Sequence, residues 1–295
     1  PPSCPAAAPP PAVVRSSAVL LCLRGRVAAL SLPGVGLVLL LAPLVAPAVG
    51  AFLLHLAGWQ SIFVMLAGYA VLVALMLRFA MPSVAPQVAE EPLRHRMFAA
   101  YGRVLRQRRA MGFILANGLI FSAMFTFITD AAFLYIEYFG IDETRFPLYF
   151  GANVVAMLGL NRLNVLLLRR FDSAAIMAVA VVLQSLAGLT LLLLTLTGYL
   201  TLWNTVPLIM VVAGMAALAI PNALASFLAF FERDSGAATG LNGCLQFLMA
   251  GLIGSGLGLI HNGTPLPMTA LMAASAVGGM LCFFFLAREK PAVKN

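Results

Sequence analysis

The sequence predicts an all-α polytopic membrane protein, and three observations carry that class. Hydrophobic residues make up 62% of the 295 positions and charged residues only 9%, against about 25% charged in a soluble domain. With a mean hydropathy of +1.00, the chain has too little polar surface to cover a water-soluble globule. Apolar stretches of membrane-spanning length recur along the chain, and Lys and Arg fall on alternate connections between them. The net charge of +8 is then mostly an orientation signal, and nucleic acid is not an expected partner.

The topology hangs on the stretch Arg94–Arg109, RHRMFAAYGRVLRQRR, a dense run of positive charge in an otherwise apolar chain. Arg94, Arg96, Arg103, Arg106, Arg108 and Arg109 lie in it. Basic residues beside spanning helices stay in the cytoplasm, so this loop is placed inside. A solvated amphipathic surface helix is compatible with the same placement.

Residues 1–33 stand apart as an unassigned Pro/Ala/Arg-rich segment. PPSCPAAAPPPAV is a Pro/Ala tract without a start Met, and Ser17–Leu23 is too short to span. Arg15 gives only a weak signal-peptide n-region. The tract reads either as disordered or as a misassigned start, since Ala, Pro and Arg dominate wrong-frame reading of GC-rich DNA.

A span needs about 20 mostly apolar residues. The first runs Gly34–Leu56 and the second Ile62–Ala80. After the basic linker at 82–110 come Met111–Phe133, Phe146–Leu168, Ala174–Thr197, Val206–Phe230, Ala237–Ile260 and Met268–Leu286, about eight in all. The organisation read from these is two spans in 34–81, a basic linker, a six-helix bundle at 111–288 and a tail at 289–295. Arg169-Arg170, Glu232-Arg233-Asp234 and the tail fall inside. The outside connections are His55–Ser61, Glu137–Arg145, Gly198–Thr205 and His261–Pro267, whose one basic residue, Arg145, sits among Glu137, Asp142 and Glu143. The predicted location is the inner (plasma) membrane of a bacterium, with the C-terminus cytoplasmic.

In the first span Ala42, Ala46 and Gly50, spaced by four, form a small-residue face for close helix packing. Pro43 and Pro47 each remove a backbone hydrogen bond and should bend the helix. Gly254 and Gly258 form a GxxxG pair, for which packing is the favoured role. Gln246 is a mid-span amide that either bonds across to another helix or faces a cavity; Gln184 and Asn153 carry the same two readings. Asp130, near the outer end of its span, is a functional candidate or simply reaches outer water. Arg162 is expected to snorkel to the inner surface.

No HExxH, P-loop, GxGxxG with a strand context or zinc-spaced Cys pair occurs, so no enzyme, cofactor or metal site is read. Ser255 and His261 do not form a nucleophilic pair, because a six-residue spacing puts them on different helix faces. The four cysteines read as free thiols.

From Gly34 onward the sequence resembles the bicyclomycin/chloramphenicol resistance (Bcr/CflA) branch of the major facilitator superfamily. The matching stretches are LAPLVAPAVGAFLL at Leu41–Leu54, GWQSIF at Gly58–Phe63, PNALA at Pro221–Ala225, SGAATGLNGCLQF at Ser235–Phe247 and HNGTPLPM at His261–Met268, with LNRLN and LLRRF in Phe150–Phe171. They look like the family's fifth to twelfth spans, so 34–81 would be the last two spans of an N-terminal bundle. The resemblance implies a proton-coupled multidrug exporter whose partners are the lipid bilayer, small amphipathic drugs and protons, with Asp130, Asn153 and Gln246 facing the cavity. The chain departs from the family pattern at Asp130-Ala131-Ala132-Phe133, where a Ser-Pro-Phe-like stretch is expected, and at Asp172-Ser173-Ala174 after the eighth span. The first four spans, where the family's proton-coupling carboxylates are expected, have no counterpart. The alternative expectation is therefore a non-transporting remnant that inserts but confers no resistance, since alternating access needs two bundles.

Overall fold

A computed structural model describes residues 49–50, 52–54, 56–80, 101–231 and 235–287. The expected small-residue and proline positions Ala42, Pro43, Ala46 and Pro47, the basic residues Arg94 and Arg96, and the tail lie outside the described residues. The chain divides into two units, 1–83 and 84–295.

In the first unit, helical backbone at 52–54 and 56–57 gives way to a turn at Gly58 and then to α1, Gln60–Ala80. Gly58 has φ +74°, a left-handed conformation that glycine adopts without steric penalty. The Ser61 hydroxyl donates to the Leu53 carbonyl at 2.9 Å and to that of Gly58 at 2.6 Å, and Trp59 packs edge-on against Phe63. GWQSIF is thus a tight helix-to-helix turn. A Cβ on Gly50 would meet nothing within 4 Å.

In the second unit, the described part of the basic stretch forms a short helix at 101–106, with Val104 buried and Arg103 and Arg106 exposed. The backbone breaks at Gln107, and Arg108 and Arg109 begin the next helix. Six helices then follow: α2 Arg108–Ala132, α3 Phe146–Leu167, α4 Ser173–Leu196, α5 Leu202–Leu228, α6 Ser235–Ile260 and α7 Leu266–Cys282. α2 and α7 run on into π-helical ends, Phe133–Tyr138 and Phe283–Ala287. With these ends included, the six are 22 to 31 residues long and apolar enough to cross a bilayer. They coincide with the six spans expected after the basic linker. The largest difference is at the end of α2, which runs past Phe133 because the extra π-helical turn keeps Leu134 and Tyr135 in the core.

α2 is the central helix, packed against α5, α6 and α7. α4 lies on α5 and α7, and α3 lies on α5. α6 rests mainly on α2, touching α5 and α7 only lightly. α3 and α6 are accordingly the least buried of the six. One core cluster gathers Ile114, Met177, Phe227 and Phe283; a second gathers Phe127, Tyr135, Leu191, Ile209 and Met268.

Close approach is made possible by small residues, but not by the pair the sequence singled out. A Cβ on Gly112 of α2 would stand 2.6 Å from the Ala287 backbone nitrogen, and one on Gly279 of α7 would stand 3.3 Å from the Ala116 carbonyl oxygen. Gly254 does face α2, with Thr129 and Phe125 at 3.5 and 3.6 Å from a built Cβ, whereas Gly258 faces open space. Among the described residues only Gly254 of the expected GxxxG pair contacts α2, a Cβ on Gly258 meeting nothing within 4 Å.

The two ends of the bundle differ. At one, Arg109, Asp172, Ser226, Ala229 and Ala287 line a cleft of about 470 Å³, so the starts of α2 and α4 meet the ends of α5 and α7. Arg169 and Arg170 lie in the turn at this basic end. At the other end are the connections 139–145, 197–201 and 261–265, whose one Lys or Arg is Arg145. Two of them share one device. The Asp142 carboxylate accepts from the backbone N–H and hydroxyl of Thr144, both at 2.8 Å, and those bonds hold its pKa below the usual carboxylate value. The Asn262 Oδ1 accepts the same two bonds from Thr264, at 3.2 and 2.6 Å. HNGTPLPM is therefore a turn motif that launches α7, with Gly263 at φ +73°.

Candidate functional site: the seam between α2 and α6

α2 and α6 meet along a line that changes chemistry with depth. Midway, Asn117 of α2 is fully buried. Its amide donates to Asn242 Oδ1 at 3.1 Å and to Gln246 Oε1 at 2.8 Å. Asn242 and Gln246 are four apart and share one helix face. Asn117 Oδ1 is buried with no partner. Beside it, Gly118 lets Met249 approach, a Cβ there standing 2.6 Å from the sulfur. One turn on, Phe121 stacks with Phe125 and packs edge-on against Phe247 of α6, ring centroids 5.8 and 5.2 Å apart. The Ser122 and Thr126 hydroxyls donate back to carbonyls of their own helix, which satisfies them without a cross-helix partner. At the far end Asp130 Oδ1 stands 3.8 Å from His261 Nδ1.

The three residues expected at a cavity are not brought together. Gln246 belongs to the mid-seam amide cluster. Asp130 lies at the end of the seam, and at 8% exposure it does not stand out in solvent. Asn153 is on α3, away from the seam; its amide donates to the Tyr149 carbonyl of its own helix at 3.1 Å. Its Oδ1 is buried without a partner, and its side chain lies beside the buried Tyr135 hydroxyl, inside a group of rings from Phe127, Phe146, Tyr149 and Phe150. Gln184 is a structural tie: its amide donates to the carbonyls of Ile120 and Val212, both at 3.2 Å, and so links α4 to α2 and α5. Arg162 is exposed on α3.

Sequence reading missed Asn117, Asn242 and His261 as members of the seam. The amides could have been found as polar residues inside apolar spans, the signal that had marked Gln246. It also missed the bond from Asn222 to Asn164 Oδ1, 2.7 Å across α3 and α5, although both residues sit in motifs singled out above.

The seam thus offers aromatic surface, a flexible methionine and an amide cluster with a free acceptor, set between helices that cross a bilayer. The chain matches the Major Facilitator Superfamily over residues 26–255, well over half its length. It belongs to that superfamily. The match begins inside the N-terminal segment left unassigned above, so superfamily-like sequence starts before Gly34. The chain is 28% identical to a bicyclomycin resistance protein homolog of Haemophilus influenzae, over 85% of this chain and 63% of the relative. It is also 28% identical to YdgK, an uncharacterized MFS-type transporter of Bacillus subtilis, over 84% of this chain and 62% of the relative. Over a shorter region it is 28% identical to the chloramphenicol resistance protein CraA of Acinetobacter baumannii, covering 46% of this chain and 32% of that protein. The chain therefore spans less than two thirds of the length of each of these relatives. The bicyclomycin and chloramphenicol resistance relatives are consistent with the Bcr/CflA-type member that the motifs from Gly34 onward resemble, and the protein is a multi-pass membrane member of a transporter superfamily.

Proposed function

We propose that this superfamily member serves in the export of small amphipathic compounds across a bacterial plasma membrane, by alternating access and in exchange for protons. The observation that carries the reading is the buried amide cluster of Asn117, Asn242 and Gln246. An unsatisfied polar atom in an apolar span costs free energy, and Asn117 Oδ1 is such an atom. A substrate hydroxyl or N–H entering the seam would satisfy it, while Phe121, Phe125, Phe247 and Met249 would contact the apolar remainder. The names of the two resistance relatives support drugs as the substrate class. The same reading places the basic end in the cytoplasm and the 139–145, 197–201 and 261–265 connections outside.

The test is drug susceptibility of pump-deficient cells expressing the protein, over a panel that includes bicyclomycin and chloramphenicol, with and without an uncoupler. Uncoupler-sensitive resistance is expected. Asn117→Leu should lose it while the amount of protein in the membrane stays normal. Resistance that persists in both Asn117→Leu and Gln246→Leu would overturn the seam as the site, and resistance insensitive to the uncoupler would overturn proton exchange.

A further inference from the structure

Asp130, in α2, and His261, which directly follows α6, meet where those two helices end. We propose that they form a proton-binding latch that joins those two ends.

Four features make the pair more than a chance surface contact. Asp130 is only 8% exposed, and its Oδ2 is buried without a partner, so the carboxyl group faces protein and has its main interaction with one neighbour. His261 is held in place by its ring, which packs edge-on against Phe133 with centroids 4.4 Å apart. Phe133 is the first residue of the π-helical end of α2, so the ring that holds His261 belongs to the same helix end as Asp130. Finally, His261 directly follows α6, the helix that rests mainly on α2. The latch therefore holds the end of an element with few other attachments.

The charged groups that act on Asp130 are His261, from the connection between α6 and α7, and Glu137, in the π-helical end of α2 itself. The attraction exists when Asp130 is a carboxylate and His261 an imidazolium. It is lost when Asp130 takes up a proton or His261 gives one up, and Glu137 is a second anion that repels the Asp130 carboxylate. Histidine is the side chain whose charge ordinarily changes between pH 5 and 8. The latch is thus shut where both charges are present and open where either is absent. If the export reading holds, this is a proton site at the end of the seam opposite the basic cluster, distinct from the mid-seam amides. The latch itself does not depend on that reading.

The experiment is therefore thermal unfolding of the purified protein in detergent, which reads the latch without transport. Wild type, Asp130→Asn, His261→Ala and the double variant are compared at pH 6 and pH 8.5. At pH 6 the two substitutions should be non-additive by about 1–3 °C, the size expected of a partly exposed pair; at pH 8.5 they should add. His261→Lys carries a cation at both pH values, so its coupling to Asp130 should survive at pH 8.5. Glu137→Gln should strengthen the pH 6 coupling. Additivity at pH 6, or equal coupling of Asp130 and His261 at both pH values, would overturn the latch. Should Asp130→Asn not fold, the latch predicts a fall in wild-type melting temperature from pH 6 to 8.5 that His261→Lys lacks; the same fall in both would sink it. Latch coupling without resistance would condemn the export reading alone, and resistance without coupling the latch alone.

Discussion

At the scale of single residues, the fold depends on a few positions where backbone approaches backbone. Gly112 is the tightest. Its missing Cβ would stand 2.6 Å from the Ala287 nitrogen and 2.7 Å from the Leu286 carbonyl carbon, so a methyl group there can be accommodated only by moving α2 away from the end of α7. Overpacking of this kind costs about 1–3 kcal/mol. Gly112→Ala is therefore expected to lower the melting temperature and the yield of folded protein. Gly258→Leu, by contrast, should change neither, since that position has open space on its helix face. Melting curves of the two variants in detergent check this, and a Gly258→Leu loss equal to that of Gly112→Ala would show that α6 packs on something beyond the described residues.

At the scale of helices, polar ties across seams do what glycine does along them. Gln184 reaches carbonyls on two neighbours, yet Ile120 and Val212 each lie within an unbroken helix. Their oxygens already have intrahelical donors, and in membranes such cross-helix bonds average only about 0.6 kcal/mol. Gln184→Leu preserves volume and removes the buried, unpartnered Oε1, so it should be nearly neutral. Gln184→Ala should be clearly worse, because it leaves a cavity where α2, α4 and α5 meet. Equal damage from both in thermal unfolding would mean that the amide bonds dominate. This distinction was not legible in the sequence. Hydropathy marked all six spans of the bundle, because a bilayer admits few other backbone solutions. It also marked Gln184 and Gln246 as odd polar residues. What it lacked was rotation about each helix axis: helices apolar all round give no moment to orient them. Gly254 and Gly258, four apart on one face, looked equivalent for a different reason, since only the contacts of the folded bundle set Phe125 against one of them. Asp130 and His261, 131 positions apart, showed no local signal linking them. The turn motifs GWQSIF and HNGTPLPM were recognisable as patterns, but their roles as helix launchers needed the hydrogen bonds of Ser61 and Thr264.

At the scale of the molecule, charge and topology should agree, and the structure sharpens what can be asked. Arg103, Arg106, Arg108, Arg109, Arg169 and Arg170 collect at the end of the bundle where α2 begins, while the opposite end carries Arg145 beside Asp142 and Glu143. Moving the first group across a membrane is unfavourable, whereas acidic residues contribute little to orientation. The bundle should therefore sit with its basic end in the cytoplasm, which puts the Asp130–His261 pair at the outer surface, exposed to the pH there. Single cysteines at Glu143 and Asn262, in a background with the native cysteines replaced, should react in intact cells with a thiol reagent that cannot cross the membrane. A cysteine at Arg170 should react only after the cells are broken open. The choice of positions is set by structure: 143 and 262 lie in turns at one end and 170 in the turn at the other, so the three cannot give a mixed answer within one orientation. Labelling at 170 in intact cells, with 143 and 262 protected, would invert the bundle and place the latch on the cytoplasmic side.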